Sequence, residues 1–582
     1  MAVDPVTLAV VKANLEFTAD EMDAAMIKTS FSPVIAEGHD RANGIYGGAT
    51  GEVIAQGDDA LPIFVGAMQF TVQATLQAIQ DYAPGDIFMV NDPYTGGTHL
   101  MDVSLLNPFY YQGELFAWLA NTGHWPDIGG SAPGGFVSKA TEIFQEGLRL
   151  PPVRLFRRGE LNEDVLNLVL ANIRVPDERI GDIKAAVNAL HVGEVRLKGI
   201  LDKYGVDTVR ECIAEMKAHS EKMMRAHVEA IPDGTYTFED YMDSDGVINE
   251  PLTIHCEMTV KDSDMHLDFS RTSPPCKGPT SSVLSNTIAA FYVAIKHVFT
   301  DVPVNSGMFA PFRLNVPDTT FLNSKFPKPC AACTAEVGQR VVDVVFGCLA
   351  QAIPDKLFGA PFSTNNDLVV GGTDPESGKD YVIYIYQGGG YGGSRSSDGL
   401  TNGASTIGIS RVPPAELYEQ RYPFRVNHFK LFEDSAGSGW RRGGFGTSYK
   451  FELLRGEGFC SVIGDRGKFP PFGILGGKPA RLSEIIFTLD GKEYRPEHVT
   501  KDTRVPLKPG DTLEVHSPGG GGYGDPLERD LASVQGDVRG GRVFRETAER
   551  DYGVVFQGDS LEIDFPASEA RRKELLGKPG LG

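Results

Sequence analysis

Only seven cysteines occur in 582 residues, an odd number scattered as Cys212, Cys256, Cys276, Cys330, Cys333, Cys348 and Cys460. A secreted disulfide framework would be denser and even in count, so a reduced, cytoplasmic protein is expected. The N-terminal stretch MAVDPVTLAVVKANLEF lacks a basic region followed by a continuous apolar one, so no secretory signal is expected. Nor does any apolar run approach the ~20 residues that cross a bilayer. Positive charge is scarce too: 55 Lys and Arg against 77 Asp and Glu leave a net charge of −22. Such a surface repels phosphate backbones, which excludes nucleic acid as a partner.

Glycine and proline are plentiful, at 67 and 37 residues, and suit a loop-rich enzyme better than a helical bundle. The length corresponds to about three to five domains or lobes. Asp4 and Pro5 open a helix along which Leu8, Val11, Leu15, Met22 and Met26 recur at helical spacing, and Ser32-Pro33 closes it. Short strands and loops dense in Gly, Asp and His follow to about Leu150, and helical patterning returns from about Leu161 to Ile231. Beyond Pro232-Asp233-Gly234, residues Leu252, Ile254, Cys256, Met258 and Val260 alternate as one face of a half-buried strand. Helix-like stretches at 282–299 and 340–353 lead to short strands beyond about Pro423. The pattern predicts an α+β fold with mixed sheets: an N-terminal lobe over 1–230, a central α+β lobe over 231–420, and a β-rich, glycine-rich lobe over 421–582.

Residues 91–130 are the richest in chemistry, with His99, Asp102 and His124 set among glycines. On a straight strand positions i and i+3 face opposite ways, so His99 and Asp102 converge only across a bend, which Gly96-Gly97 permits. Downstream, a strand from about Asp102 to Tyr111, a Gln112-Gly113 turn and a strand from Glu114 to Asn121 form a hairpin. Asp102 then lies across from Gly123, with His124 one position beyond. Two imidazoles and a carboxylate suit Zn²⁺, Mn²⁺ or Fe²⁺ better than Ca²⁺. Spacing alone leaves a second reading open, in which these are surface polar residues.

The segments EGHDRANGIY, NDPYTGGTHLMD, GHWPDIGG and TEIFQEGLRLPPVRL, and then DFSRTSPPCKGP, DVPVNSGM, DSAGSGWRRGGFG, DRGKFPPFGILGG, HSPGGGGYGDPLERD and DYGVVF, occur in order along the chain. Together they resemble the hydantoinase B/oxoprolinase family, which includes B-type subunits of ATP-dependent hydantoinases and caprolactamase. Alpha subunits of acetone and acetophenone carboxylases are wider relatives. The resemblance implies a divalent metal, zinc, manganese or iron, held by Asp40, His99, Asp102 and His124, in an N-terminal catalytic lobe. It also implies a hetero-oligomer with an A-type, hydantoinase A-like ATPase subunit that carries ATP and Mg²⁺. The chain departs from the family at Glu37-Gly38-His39-Asp40, where many relatives are more basic, and at Leu61-Pro62-Ile63-Phe64, where many carry a histidine.

The remaining motifs carry weaker signals. Cys330-Ala331-Ala332-Cys333 lacks a second pair for a zinc ribbon and reads as unlinked thiols. The glycine runs 388–393 and 519–522 lack the Lys-Ser/Thr of a phosphate loop and read as tight packing. Asp127 and Asn121 flank the proposed metal, Asp127 being either the candidate for positioning or proton transfer or the start of the turn at Ile128-Gly129-Gly130. His39, beside Asp40, is either a donor to a ligand or an exposed or capping residue, and Arg441-Arg442 reads as a solvated pair. The expected function is ring opening of a lactam, hydantoin or oxoproline, in which metal-activated water attacks an amide phosphorylated by the partner subunit. The alternatives are a subunit of an ATP-dependent ketone carboxylase and a non-catalytic scaffold subunit.

Overall fold

The computed structural model describes residues 3–576. Its first helix, Pro5–Thr29, starts where Asp4 accepts the Thr7 N–H at 2.9 Å and ends where the Ser30 N–H bonds back to Met26. Val11, Leu15, Met22 and Met26 are buried, as the helical spacing requires, against the long helix Pro176–Tyr204. A second long helix, Val206–Glu229, completes the helical stretch expected before residue 231.

The N-terminal part is organised by a seven-stranded antiparallel sheet. Its strands are β1 (Arg41–Gly47), β2 (Val53–Gln56), β3 (Ile87–Val90), β4 (Asp102–Tyr111), β5 (Glu114–His124), β6 (Val153–Arg157) and β7 (Glu160–Leu161), in the order β2-β1-β5-β4-β3-β6-β7. Both faces are covered. Tyr46, Leu106, Trp118 and Ala120 pack into the core shared with helices Pro62–Ala78, Leu284–Val298 and Gln339–Ala352. Ile45, Leu105 and Leu119 pack into the core shared with helices Pro5–Thr29 and Pro176–Tyr204. A strand buried on two faces needs apolar residues at odd and even positions alike. That is why β4 and β5 read as near-continuous apolar runs.

Three further sheets follow. One pairs Gly234–Met242, Leu252–Lys261, Asp264–Asp268 and Phe312–Asn315, the last two parallel, and Ile254, Cys256, Met258 and Val260 turn into the core. The other two have four and five strands and pack face to face. Leu368, Val370 and Ile383 of one meet Phe451, Phe487, Leu513 and Val515 of the other. The fold class is therefore α+β with mixed sheets; beyond Pro423 strands run from Phe424 to His516, and the helices Leu531–Arg539, Arg545–Asp551 and Phe565–Leu576 follow, which the sequence pattern did not anticipate. All seven cysteines are buried free thiols. Among the described residues no helix is long and apolar enough to cross a membrane.

Candidate metal centre

Three neighbouring strands of the first sheet bring their ends to one edge. β4 begins at Asp102, β5 ends at His124, and β1 begins one residue after Asp40. The hairpin turn is Gln112-Gly113, both with positive φ. The pairing differs by one residue from the simple hairpin count. Tyr110 pairs with Leu115 but Phe109 pairs with Ala117, so Phe116 is an extra residue on β5 and Asp102 lies directly opposite His124. The Phe116 carbonyl released by this bulge accepts the Gly48 N–H at 3.2 Å. On the other side of β5, Arg41 pairs with Gly123 and the His124 N–H donates to the Asp40 carbonyl at 3.0 Å.

His99 reaches the same edge through a turn in which the Asp102 N–H bonds to the His99 carbonyl at 3.2 Å. The preceding Gly96 has φ +87°, and a Cβ there would sit 2.4 Å from the Phe70 backbone, so only glycine fits. His99 Nε2 lies 3.0 Å from Asp102 Oδ2, and His124 Nδ1 lies 3.0 Å from Asp102 Oδ1. Ligand atoms of these three side chains all fall within 4.8 Å of one another, and the residues are 2–3% exposed. His99 Nδ1 donates to the Ala331 carbonyl at 2.8 Å, which turns Nε2 toward Asp102 and the cluster. Thr98 donates its hydroxyl to Asp102. Tyr384 stacks on the His124 ring at 4.6 Å and on Phe136 at 5.4 Å, closing an aromatic wall.

The electrostatics of this edge are dominated by burial. Desolvation raises Asp40 to about 6, helped by the charges of Asp102 and Asp367 and opposed by the two histidines. Desolvation also works against the ionised forms of Asp102 and His99. Their mutual attraction overrides it, taking Asp102 well below the usual carboxylate range and His99 up to about 10. Asp367 is fully buried. One of its oxygens accepts the Tyr384 hydroxyl at 2.7 Å, Oδ2 has no partner among the described residues, and burial raises the group to about 7. His124 Nε2 is likewise buried and unpartnered. Three buried carboxylates outnumber the two imidazoles, and a mixed N/O set with unpartnered donor atoms fits a divalent cation.

Residues 4–526 match the family model described as Hydantoinase B/oxoprolinase. The chain belongs to the hydantoinase B/oxoprolinase family. The beta chain of the caprolactamase of Pseudomonas jessenii is 34% identical over 584 residues, 98% of this chain and 99% of that one. The crystal structure of the ATP-dependent caprolactamase from the same organism matches with a TM-score of 0.92 at 32% identity, covering 98% of this chain and 100% of that one. The B-type subunit of a putative D-/L-hydantoinase from Pseudomonas sp. is 30% identical and covered to 98% on both sides. The acetophenone carboxylase delta subunit of Aromatoleum aromaticum is 29% identical over 84% of this chain and 77% of its own length.

Within this family fold His99, Asp102 and His124 form one cluster, with Asp40 beside it on β1's threshold. Asp127 stands outside that three-residue group. Its carboxylate accepts the N–H groups of Gly129, Gly134 and Arg174 and pairs with the Arg174 guanidinium at 2.9 Å. That arrangement holds the loop carrying Phe136. Asn121 donates to the Ala186 carbonyl, and His39 takes a positive φ with its Nδ1 unpartnered. Arg442 pairs with Asp537 at 3.0 Å, while Arg441 lies over the Trp440 ring. The two glycine runs pack against backbone: a Cβ on Gly392 or Gly520 would collide with main-chain atoms. Asp367, Tyr384, Glu146 and the role of the 330–333 segment were not picked out by sequence reasoning. Glu146 accepts the Cys330 and Ala331 N–H groups at 3.0 and 2.8 Å, so it fixes the very carbonyl that grips His99.

Proposed function

We propose that this chain is the B-type member of an ATP-dependent cyclic-amide hydrolase that opens a lactam, hydantoin or oxoproline ring with a hydantoinase A-like ATPase partner. The observation that carries this reading is the buried convergence of His99, Asp102 and His124, beside Asp40, in a chain that aligns end to end with the beta chain of a caprolactamase. An amide resists attack because resonance stabilises its carbonyl. Transfer of the γ-phosphoryl group from ATP to the amide oxygen on the partner subunit, with Mg²⁺, removes that resonance and makes the carbon electrophilic. Addition of one water and departure of the ring nitrogen, which takes up a proton, open the ring as an acyl phosphate, and a second water releases inorganic phosphate to leave the carboxylate.

His99, Asp102, His124 and Asp40 would hold the divalent ion, zinc, manganese or iron. Bound there, it supplies Lewis acidity, which in the best zinc cases lowers the pKa of water from ~15.7 to about 7. The protein's own groups do the rest. Asp102 sits between the two imidazoles and fixes both rings, and the Ala331 carbonyl holds His99 through Nδ1. Tyr384 and Phe136 exclude solvent from the His124 side. Asp367 Oδ2, buried and without a hydrogen-bond partner among the described residues, is the oxygen we assign to receive a proton from water, and Asp127 positions the Phe136 loop.

The carboxylase relative motivates a second reading, in which the same site would stabilise an enolate for reaction with CO₂. Co-purification with an ATPase subunit, metal analysis, and assays of cyclic amides plus ATP against ketones plus bicarbonate separate the two. Hydrolysis of a cyclic amide is expected; ketone-dependent carboxylation alone would refute the hydrolase reading. The isolated chain is expected to show no ATPase activity, and a measurable intrinsic rate would refute the division of labour.

A further inference from the structure

The turn at residues 330–333 closes over the His99 side of the cluster and carries two thiols. The Cys333 N–H donates to the Cys330 carbonyl at 3.0 Å, and Ala332 has φ −85° and ψ 4°, the third-position backbone of a type I turn. Such a turn brings its first and fourth Cα atoms within about 7 Å, and a disulfide spans about 4.4–6.8 Å. The two side chains hydrogen-bond to each other, and both are buried. Cys330 Sγ lies 3.9 Å from the Thr98 carbonyl, one residue before His99. Cys333 also begins a π-helix, Cys333–Gly338, a rare form that recurs at functional sites.

The peptide in the middle of this turn is the one that holds His99. Its neighbours are firmly anchored. Glu146 accepts the Cys330 and Ala331 N–H groups at 3.0 and 2.8 Å, and the Cys333 carbonyl accepts the Asn286 side chain at 2.8 Å. Among the described residues the 331–332 peptide has only the Ala332 N–H to Pro279 carbonyl bond, at 3.3 Å, and the bond from His99 to its Ala331 carbonyl. Drawing the two sulfurs from hydrogen-bond separation to about 2.05 Å requires the turn to contract. With both ends fixed, the contraction falls on the weakly held peptide, and its rotation takes the Ala331 carbonyl away from His99.

We infer that Cys330 and Cys333 form a redox modification site, whose closure to a disulfide loosens His99 and weakens metal binding, and whose reduction restores it. The step balances with hydrogen peroxide as oxidant. One thiol sulfur attacks a peroxide oxygen and leaves as a sulfenic acid with release of water. The second thiol displaces the hydroxyl as another water, so two thiols lose two electrons and two protons. A dithiol reductant reverses the bond by exchange. Burial admits only an oxidant little larger than water, which enters as the attacking water of the hydrolase reading must.

The inference rests on the ligand assignment above, and two readouts keep their failures apart. Peroxide treatment of the native full-length chain is expected to make the tryptic peptide 326–340, which holds both cysteines, two hydrogens lighter, and dithiothreitol to reverse this. Chelator competition is then expected to show metal affinity lowered about tenfold or more. Diethyl pyrocarbonate, mapped by mass spectrometry, is expected to modify His99 faster in the oxidised chain. Cys330→Ser and Cys330→Ala are each expected to keep the affinity of the reduced wild type and to lose the peroxide response. Three results would overturn the inference: no disulfide in that peptide, a disulfide that leaves metal affinity and His99 reactivity unchanged, or a peroxide-induced loss that persists in both Cys330 variants. A reduced chain that holds no divalent ion counts against the ligand assignment alone, and His99 reactivity then carries the test.

Discussion

Glu146 never touches the proposed ion, yet its removal is expected to loosen metal binding. The carboxylate is fully buried, its two oxygens accept the Cys330 and Ala331 N–H groups, and the Ala331 carbonyl then accepts the His99 Nδ1–H. Glu146→Ala leaves two backbone donors unpaired at about 1–3 kcal/mol each, with the lower end reached if water fills the vacated space. The loop then relaxes and the His99 ring loses its fixed orientation and tautomer. Partners of metal ligands are worth about 10–100-fold in affinity, which is ~1.4–2.8 kcal/mol at tenfold per 1.4 kcal/mol.

Two assays separate packing from orientation. Thermal unfolding reads the stability loss, and chelator competition reads the metal affinity. Glu146→Ala is expected to lose both, and Glu146→Gln, which keeps one acceptor oxygen, to fall between it and the wild type. If Glu146→Ala lowers the melting temperature while its metal affinity stays within about twofold of wild type, the relay from Glu146 through Ala331 to His99 is refuted, since the expected change is tenfold or more.

His99→Ala and His124→Ala are each expected to abolish bound metal and turnover while the complex with the ATPase partner still assembles; normal metal content in either refutes the ligand assignment. Asp127→Asn is expected to lower thermal stability, because the carboxylate accepts three backbone N–H groups and pairs with Arg174, while turnover survives at reduced level. Abolished turnover at unchanged stability would instead place Asp127 in the chemistry. Asp243, fully buried, is raised to about 6 by burial and the nearby Asp465 charge, with Lys501 opposing. A carboxyl raised above its unfolded value of 3.8 contributes stability below pH 3.8 and loses it as pH rises through 6. The ionised group therefore costs about 1–3 kcal/mol near neutrality. The melting temperature of Asp243→Asn relative to wild type should climb between pH 4 and pH 7, and a flat difference refutes this.

Local chemistry made much of the first sheet legible. Gln112-Gly113 marked the hairpin turn, and the apolar runs on either side marked its strands. The one-residue register error came from the Phe116 bulge, and its sequence signal was Pro108. Proline has no N–H for the ladder, so strands tolerate it at bulges and edges. Pro108 sits opposite Trp118, next to the irregular step. A proline inside a predicted central strand therefore argues for a bulge nearby, and here that shift places His124 directly opposite Asp102.

The parts that stayed illegible are those that arrive from far along the chain. A β-ladder ties residues about twenty positions apart, as with Asp102 and His124. No spacing rule links His99 to Ala331, 232 residues away, or selects Asp367 and Tyr384 to close over the same edge. Yet these distant groups bear on the two readings that spacing left open. On an exposed hairpin end, two histidines and an aspartate are solvated and need no ion. Sealed by Tyr384, Phe136 and the 330–333 segment, with Asp40 and Asp367 added, the same trio has more negative charge than its imidazoles can neutralise. Burial without a counter-charge is costly enough that the groups would take up protons instead. The enclosure is therefore the physical argument behind the proposed cation.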